Sequence, residues 1–320
     1  MNIDLTKYNC FEITLSNILS RQDIDIRNIW GQLSFGLSYE EGYPIIEDGY
    51  SELVPFLEDN FPITIEKKFF DSNEIDRIID LFKKKDNYYV VKVDTFELEY
   101  SVYYQREHYI HMVEILDTGS EGLFNIKDHY FSTEATIKEK SLKKAIISVK
   151  NNLEDLFSKT DIEILIIKPN GKKEGFKPSI ILRDSISALN GSNRFVNEPN
   201  KIGIDYILEL KNILVNPNIN YNFYSTQLND LGNSRYHFSL FLESNFDENF
   251  MGVSNDYYLL SLEWNTIYNL FMYMSLKKNK EKFLDNILIR IDKVYILEKK
   301  SLQKLIELKE VINMEDKQCM

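Results

Sequence analysis

The chain has only two cysteines, Cys10 and Cys319, which lie at opposite ends of its 320 residues. No CxxC pair is present, so the sequence contains no cysteine-based metal motif. A structural disulfide is not expected, because the start of the chain carries no export signal. We interpret Cys319, in the polar tail EDKQCM, as a bystander thiol. Cys10 is therefore either a small apolar core residue or a reactive thiol.

Positive charge and long apolar runs are also scarce. Lys and Arg number 38 against 50 Asp and Glu, which gives a formal net charge of -12. A field of that sign repels nucleic acid and anionic lipid, so neither is an expected partner. The apolar-rich stretch Tyr257–Met274 is interrupted by Glu263, Asn265 and Asn269, and we predict a buried helix there. The start MNIDLTKYNC does not resemble a secretory signal, so we expect a cytoplasmic protein.

Hydrophobic periodicity predicts helices first, strands next and then mainly helices. Three strands of a meander are predicted at Tyr88–Val93, Tyr109–Leu116 and Leu123–Lys127. Farther along, one more strand is expected at Asp161–Lys168. This order predicts an α+β protein with an antiparallel sheet, divided into a domain of residues 1–133 and a mainly helical domain of residues 134–320.

Cys10 follows Asn9, a good N-cap, at the predicted start of the first helix. The N–H groups and the dipole at that end of a helix favour a thiolate over a thiol. The same N–H groups can bind an oxyanion that forms on an attacked carbonyl. A structural cysteine more often lies in the middle of a helix. The position therefore favours a nucleophile, with the apolar core residue as the alternative.

A thiolate nucleophile needs a base that exchanges a proton near neutral pH, and histidine is the natural choice. The four histidines are His108, His111, His129 and His237. In the strand REHYIHMVEILD, His111 shares a face with Val113 and Ile115, because side chains alternate. We expect that apolar face to lie against the helix that carries Cys10, and His108 to face solvent or the other side. A satisfied buried histidine is the alternative for His111.

An imidazole base also needs an acceptor that orients it. Asp128 ends the next predicted strand, and a hairpin turn near Ser120 pairs residues whose numbers sum to about 239. His111 and Asp128 meet that condition, which predicts a hydrogen bond across the ladder. Asp117, in the turn, is a weaker candidate, and capping of the following segment is the alternative role for Asp128.

The segments that carry these residues resemble a known family. Their order resembles the papain-like cysteine peptidase fold, especially bacterial relatives that cleave double-glycine leaders. More narrowly, the runs NCFEITLSNIL, FGLSY and VDTFELEYSVYYQREHYIHMVEILD resemble the family of butirosin biosynthesis protein H (BtrH), and KIGIDYILEL and GNSRYHFSLFLE resemble its C-terminal part. The chain is also similar to the closthioamide amide-bond-forming protein CtaG. The resemblance covers most of the chain and is strongest to about residue 130.

The resemblance implies a papain-like catalytic domain at residues 1–133 and a substrate- or carrier-binding domain at residues 134–320. It implies that Cys10 is the nucleophile, His111 the base and Asp128 the orienting acid. The implied reaction transfers an acyl group from a phosphopantetheinyl thioester on an acyl or peptidyl carrier protein to a small or carrier-bound amine. Such amide synthesis belongs to nonribosomal natural-product and antibiotic biosynthesis, with β-alanyl units as one candidate acyl group. No bound cofactor is expected apart from the phosphopantetheine of the carrier.

Four further residues are secondary candidates for contacts with the catalytic residues or with substrate: Asp94, His108, Asn9 and Arg235. Asp94 lies in the family-like run VDTFELEY, and a purely structural role is its alternative. Position 4, six residues before Cys10, is Asp4, whereas papain-like enzymes use a glutamine to complete the oxyanion hole. The backbone N–H of Cys10 is thus the one donor that we predict.

Lysine clusters are candidate contacts for an acidic carrier, because the enzyme itself is acidic. The clusters are Lys83–Lys85, Lys143–Lys144 and Lys277, Lys278, Lys280 and Lys282. Two other functions stay open. One is a cysteine peptidase or amidase of the same fold, and the other is a non-catalytic protein that docks a carrier.

Overall fold

The structure is a computed structural model of the chain. It describes residues 3–40, 43–50, 53–84, 87–119, 122–153, 162–171, 176–192, 201–216, 219–276 and 281–318. The fold is mixed α+β, with antiparallel sheets and a helical C-terminal region, which confirms the coarse fold prediction. In the described parts of the chain, no helix combines the length and the apolar character that crossing a membrane requires.

The α-helices are α1 Cys10–Ser20, α2 Ile26–Ile29, α3 Leu53–Asn60, α4 Ile75–Phe82, α5 Glu139–Leu153, α6 Pro178–Leu189, α7 Leu210–Leu214, α8 Tyr221–Asn245, α9 Met251–Leu276 and α10 Glu281–Gln318. The strands are β1 Gly36–Glu40, β2 Tyr43–Glu47, β3 Ile63–Phe70, β4 Tyr88–Asp94, β5 Ile110–Thr118, β6 Leu123–Asp128, β7 Thr133–Lys138, β8 Ile162–Pro169 and β9 Lys201–Ile202. Short 3₁₀ helices lie at Leu5–Lys7, Ser72–Glu74, Thr95–Glu97, Ile204–Glu209 and Glu248–Phe250.

The chain forms two compact units. The sheet unit consists of Asp4–Ile26 and Leu57–Gly175, and the helical unit consists of Met1–Ile3, Arg27–Phe56 and Phe176–Met320. This division differs from the predicted single boundary between residues 133 and 134, which falls inside β7. The reason is long-range strand pairing: β8 comes after that boundary in sequence, yet it pairs between β3 and β4.

The sheet unit is built on a six-stranded sheet with the order β3-β8-β4-β5-β6-β7, in which neighbouring strands are antiparallel. One face of this sheet forms the unit's apolar core with α4 and α5. On α5, Leu142, Ala145 and Ile146 recur at helical spacing and are fully buried in that core. The predicted meander and the strand that became β8 are therefore present, and they share one core.

The helical unit contains the long helices, with α8 packed on α9 and α9 on α10. Leu260, Trp264, Ile267 and Phe271 recur at helical spacing along α9 and are all completely buried. The predicted buried helix at Tyr257–Met274 is thus confirmed. This unit also has a small antiparallel sheet with the order β2-β1-β9.

Two neighbouring residues of β5 test the buried face of the main sheet. Ile115 is 2% exposed and Leu116 is 37% exposed. We expect Ile115→Ala to lower the free energy of unfolding by about 2–5 kcal/mol, because it leaves a cavity in the core. The matched control Leu116→Ala should cost less than half as much, and urea unfolding of the two variants measures the difference. Equal losses would contradict the assignment of the buried face.

Candidate active site

Cys10 is the first residue of α1, and Asn9 is the N-cap, as predicted. The Asn9 Oδ1 accepts a hydrogen bond from the Glu12 N–H at 2.9 Å, and the Asn9 N–H donates to Glu12 Oε2 at 2.7 Å. This reciprocal capping box fixes the backbone on both sides of Cys10. The cysteine is a free thiol and is partly exposed, so it is not a core residue.

Glu12 changes the electrostatic argument for a thiolate at this helix end. Its side chain is buried and bonded to the same first turn that carries Cys10. A carboxyl group there competes with the thiolate for the positive end of the helix dipole. The dipole alone is therefore a weak activator of Cys10, and a nearby cation is needed to stabilise a thiolate.

The side chain of His111 can provide that nearby cation. His111 is the second residue of β5, where it pairs with Val93 of β4, and its side chain is buried. Its Nε2 donates to Asp128 Oδ2 at 2.8 Å, and the Cys10 side chain lies near enough to raise the pKa of the imidazole. Because Nε2 is directed to Asp128, Nδ1 is the ring nitrogen that remains for the sulfur.

The predicted hydrogen bond between His111 and Asp128 is therefore confirmed, but the predicted register is not. In the ladder of β5 and β6, Glu114 pairs with Lys127 and Ile115 with Ile126, a sum of 241 instead of 239 (114 + 127; 115 + 126). Between Asp117 and Ile115 the register changes by one residue, from a sum of 242 nearer the turn (117 + 125; 118 + 124) to 241. His111 and Asp128 are thus diagonal neighbours on one face, and their side chains still reach each other.

The expected packing of α1 against the apolar face of His111 needs a correction. Val113 and Ile115, which share that face, lie in the apolar cluster formed with α4 and α5. Within the described residues, that cluster contains no member of α1. Cys10 meets His111 near the first residue of β5. The contact therefore does not lie over the middle of the face that carries Val113 and Ile115.

Asp128 is fully buried and accepts three hydrogen bonds. Its Oδ1 accepts from the Phe131 N–H at 3.0 Å, and its Oδ2 accepts from His111 and, at 3.0 Å, from the Tyr100 hydroxyl. Burial raises the pKa of Asp128, but these bonds and the charge of His111 outweigh it and hold the pKa below its usual value. Burial and Asp128 in turn raise the pKa of Tyr100, so Tyr100 stays a donor.

The pKa of His111 is raised from 6.5 to about 9. Burial lowers the pKa, but hydrogen bonds and charge from Asp128 and Cys10 raise it by more. An imidazolium therefore persists at neutral pH beside the Cys10 side chain. In such a pair the sulfur of Cys10 can act as the nucleophile, and the imidazole of His111 can donate and accept the proton.

Asp94 and His108 form a second pair in the same unit. Asp94 is fully buried and accepts from the Phe96 N–H at 3.0 Å, from Ser148 Oγ at 2.7 Å and from His108 Nδ1 at 2.6 Å. His108 stacks on the Phe96 ring, with centroids 4.1 Å apart. Asp94 thus caps the 3₁₀ helix that begins at Thr95, which gives it a structural role. A substrate role for His108 stays a prediction.

The sequence analysis did not identify two residues that lie near the catalytic candidates. Tyr100 bonds Asp128, and Glu114 bonds His129 Nε2 at 2.7 Å and Arg21 Nη2 at 2.5 Å. Tyr100 lies in the run YSVYYQRE, which has no periodicity that would single it out. Glu114 occupies an ordinary strand position, so only tertiary contacts identify it.

Arg235 belongs to the helical unit, where it is a completely buried partner of Glu298, with Nε donating to Oε1 at 2.7 Å. This buried ion pair does not support the predicted contact with substrate. Three lysines of the predicted clusters form ion pairs within the protein: Lys83 pairs with Asp80, Lys143 with Asp76 and Glu139, and Lys144 with Glu97. Lys85, Lys277, Lys278 and Lys280 lie outside the described residues, and Lys282 is exposed in α10.

No family model matches the chain, and no curated protein matches it either. Among the residues that the structure describes, no group of three or more His, Cys, Asp or Glu is arranged to hold a metal ion. The arrangement of Cys10, His111 and Asp128 is therefore the feature that a functional proposal must explain.

The titration of His111 tests this electrostatic arrangement. The raised pKa means that the folded protein binds the His111 proton more tightly than the unfolded chain does. Its stabilisation is therefore complete below pH 6.5 and is lost as pH rises through about 9. Carbon-13 histidine NMR should show one of the four histidines titrating near 9, and Asp128→Asn should lower that value.

The matched control is Asp94→Asn, which removes the carboxylate of the other Asp–His pair. This variant should leave the titration of His111 unaltered. A His111 titration near 6.5 in the unmodified protein would show that the proposed charge arrangement is wrong.

Proposed function

We propose that the protein is an acyltransferase that uses Cys10 to take an acyl group from a carrier-protein thioester and passes it to an amine. The observation that carries the proposal is a partly exposed thiol that interacts with an imidazole, which is itself hydrogen-bonded to a buried carboxylate. A thiol at the start of a helix, with its histidine on an antiparallel sheet, supports a papain-like fold for the sheet unit.

The first half-reaction transfers the acyl group to the protein. The Cys10 thiolate attacks the thioester carbonyl, and the bond from that carbon to the pantetheine sulfur breaks. The released pantetheine thiolate takes the proton from the His111 imidazolium, which leaves an acyl group on Cys10 and a neutral imidazole. Because a thiolate is already a good leaving group, this step needs little help from an acid.

The second half-reaction forms the amide. The amine attacks the acyl carbon of the Cys10 thioester, and its proton passes to the neutral His111. The carbon–sulfur bond then breaks, and the thiolate and imidazolium pair is restored. Throughout both steps, Asp128 keeps His111 in the tautomer whose Nδ1 faces the sulfur.

Stabilisation of the oxyanion in both steps falls to the start of α1. The Cys10 N–H is at the first helical position, where an α-helix provides no internal acceptor. Asp4 accepts hydrogen bonds from the Thr6 N–H at 3.0 Å and from the Thr6 hydroxyl at 2.7 Å. It therefore serves as a turn cap and does not replace the donor glutamine.

A cysteine amidase or peptidase is the second candidate, because a His111 pKa of about 9 also suits protonation of an amine leaving group. Two features favour transfer. A thioester donor places no demand on that acid, and the narrower of the two resemblances described from the sequence is to carrier-dependent proteins. A non-catalytic docking protein would have no use for a thiol, an imidazole and a carboxylate bonded in series.

Incubation with an acyl-loaded carrier protein and an amine tests the proposal, with amide formation followed by mass spectrometry. Cys10→Ala should abolish the product, and His111→Ala should lower the rate by about 10²–10⁴-fold, because it removes the proton acceptor. The matched control Cys319→Ser should keep full activity. Cleavage of plain peptides without thioester reactivity would favour the amidase, and full turnover in Cys10→Ala would contradict both enzymes.

A further inference from the structure

A second histidine–carboxylate pair connects the same two strands that carry His111 and Asp128. Glu114 of β5 accepts from His129, the residue after β6, with His129 Nε2 and Glu114 Oε2 2.7 Å apart. Both side chains are buried, and Glu114 is 1% exposed. Because Glu114 is three residues from His111, its side chain points to the opposite face of β5. The two pairs therefore lie on opposite faces at neighbouring positions of one ladder.

The other carboxylate oxygen of Glu114 binds α1. Arg21 is the C-cap of that helix, and its Nη2 lies 2.5 Å from Glu114 Oε1. The Arg21 guanidinium also lies over the Tyr88 ring, 5.0 Å from its centroid, and Gln22 Nε2 donates to the Tyr88 hydroxyl at 2.7 Å. The end of α1 is thus bound to the first residue of β4 and to the middle of β5.

Helix α1 therefore contacts β5 through side chains at both of its ends. Cys10 meets His111 at one end, and Arg21 meets Glu114 at the other. The helix of 11 residues is about 16 Å long, while three residues of strand span about 10 Å. Apolar packing already holds α1, in which Ile18 and Leu19 are fully buried, and the helix contacts β5. Two separated polar attachments add directional contacts that fix where the helix lies along the strand.

We propose that Arg21, Glu114 and His129 form a positioning clamp that holds α1 so that the Cys10 sulfur stays against the His111 imidazole. This inference rests on the proposed roles of Cys10 and His111. None of the three clamp residues touches the reacting atoms, so they act through the placement of α1.

The energetics of buried charge explain why positioning, and not stability, is the function assigned to the clamp. Removing Glu114 from water costs free energy, and well-packed apolar side chains often stabilise a protein as much as a buried ion pair does. Apolar contacts, unlike hydrogen bonds and ion pairs, do not fix the angle between the groups that touch. The two oxygens of Glu114 fix Arg21 and His129 at defined angles, and a displacement of about 1 Å between reacting groups can cost about 10²-fold in rate.

Alkylation of Cys10 tests the clamp without any substrate. In a Cys319→Ser background, the rate of reaction with iodoacetamide at pH 7 reports the thiolate that His111 stabilises. We expect Glu114→Gln and Arg21→Met to slow this reaction by about tenfold or more, towards the rate of His111→Ala. Arg21→Lys, which keeps the charge, should recover part of the rate.

The matched control is Lys92→Met, which removes another strand ion pair of the same sheet. Lys92 Nζ lies 2.7 Å from Glu163 Oε2, between β4 and β8, and neither residue belongs to α1. This variant should alkylate at the rate of the unmodified protein. Because Arg21 is more exposed than Glu114, Arg21→Met retains the test if Glu114→Gln does not fold.

The clamp is wrong if both folded clamp variants are alkylated as fast as the Lys92→Met control. It is also wrong if the slowing merely follows the fraction of unfolded protein measured by circular dichroism. These outcomes are separate from the proposed function. Acyl transfer with unaltered alkylation in the clamp variants overturns the clamp alone, and slowed alkylation in a protein without transferase activity overturns the acyltransferase alone.

Discussion

The hydrogen bond between His111 and Asp128 is the interaction on which the chemistry of the sheet unit depends. Both side chains are buried, and a buried carboxylate persists only if donors surround it. Asp128 has three such donors, from Phe131, Tyr100 and His111. They keep its charge in place, and that charge keeps a proton on the imidazole that faces Cys10. The thiol, the ring and the carboxylate thus form one electrostatic unit whose parts are assembled by distant segments.

The fold makes this assembly possible through the pairing of β5 with its neighbours. The strand carries His111 on one face and Glu114 on the other, so the same backbone orients the imidazole and receives the far end of α1. At the end of β6, Asp128 and His129 provide the partners of these two side chains. The carboxylate of Asp128 binds the His111 ring, and the ring of His129 binds the Glu114 carboxylate. Two residues of β5 and two residues at the end of β6 therefore connect the site to the helix that carries the thiol.

Local features of this arrangement were predictable from the sequence, and long-range ones were not. Asn9 predicted the start of α1 because capping is a property of a few adjacent residues. The contact of His111 with Asp128 was predicted for a partly wrong reason, since the pairs nearest the turn, Asp117 with Asn125 and Thr118 with Phe124, are already offset from the predicted register, and the side chains meet diagonally. The domain boundary failed because β8 enters the middle of the sheet from a distant part of the chain. Strands β1 and β2 were missed because the run FGLSYEEGYP contains glycines and a proline, which are typical of turns.

The central claim is that Cys10 carries the acyl group during the reaction. The most direct measurement is a single turnover with an acyl-loaded carrier in the absence of amine, stopped by acid and followed by peptide mapping. We predict that the acyl mass lies on the peptide that contains Cys10, and that it disappears when an amine is added before the acid. An acyl mass on Cys319, or on no cysteine at all while the carrier is discharged, would contradict this account.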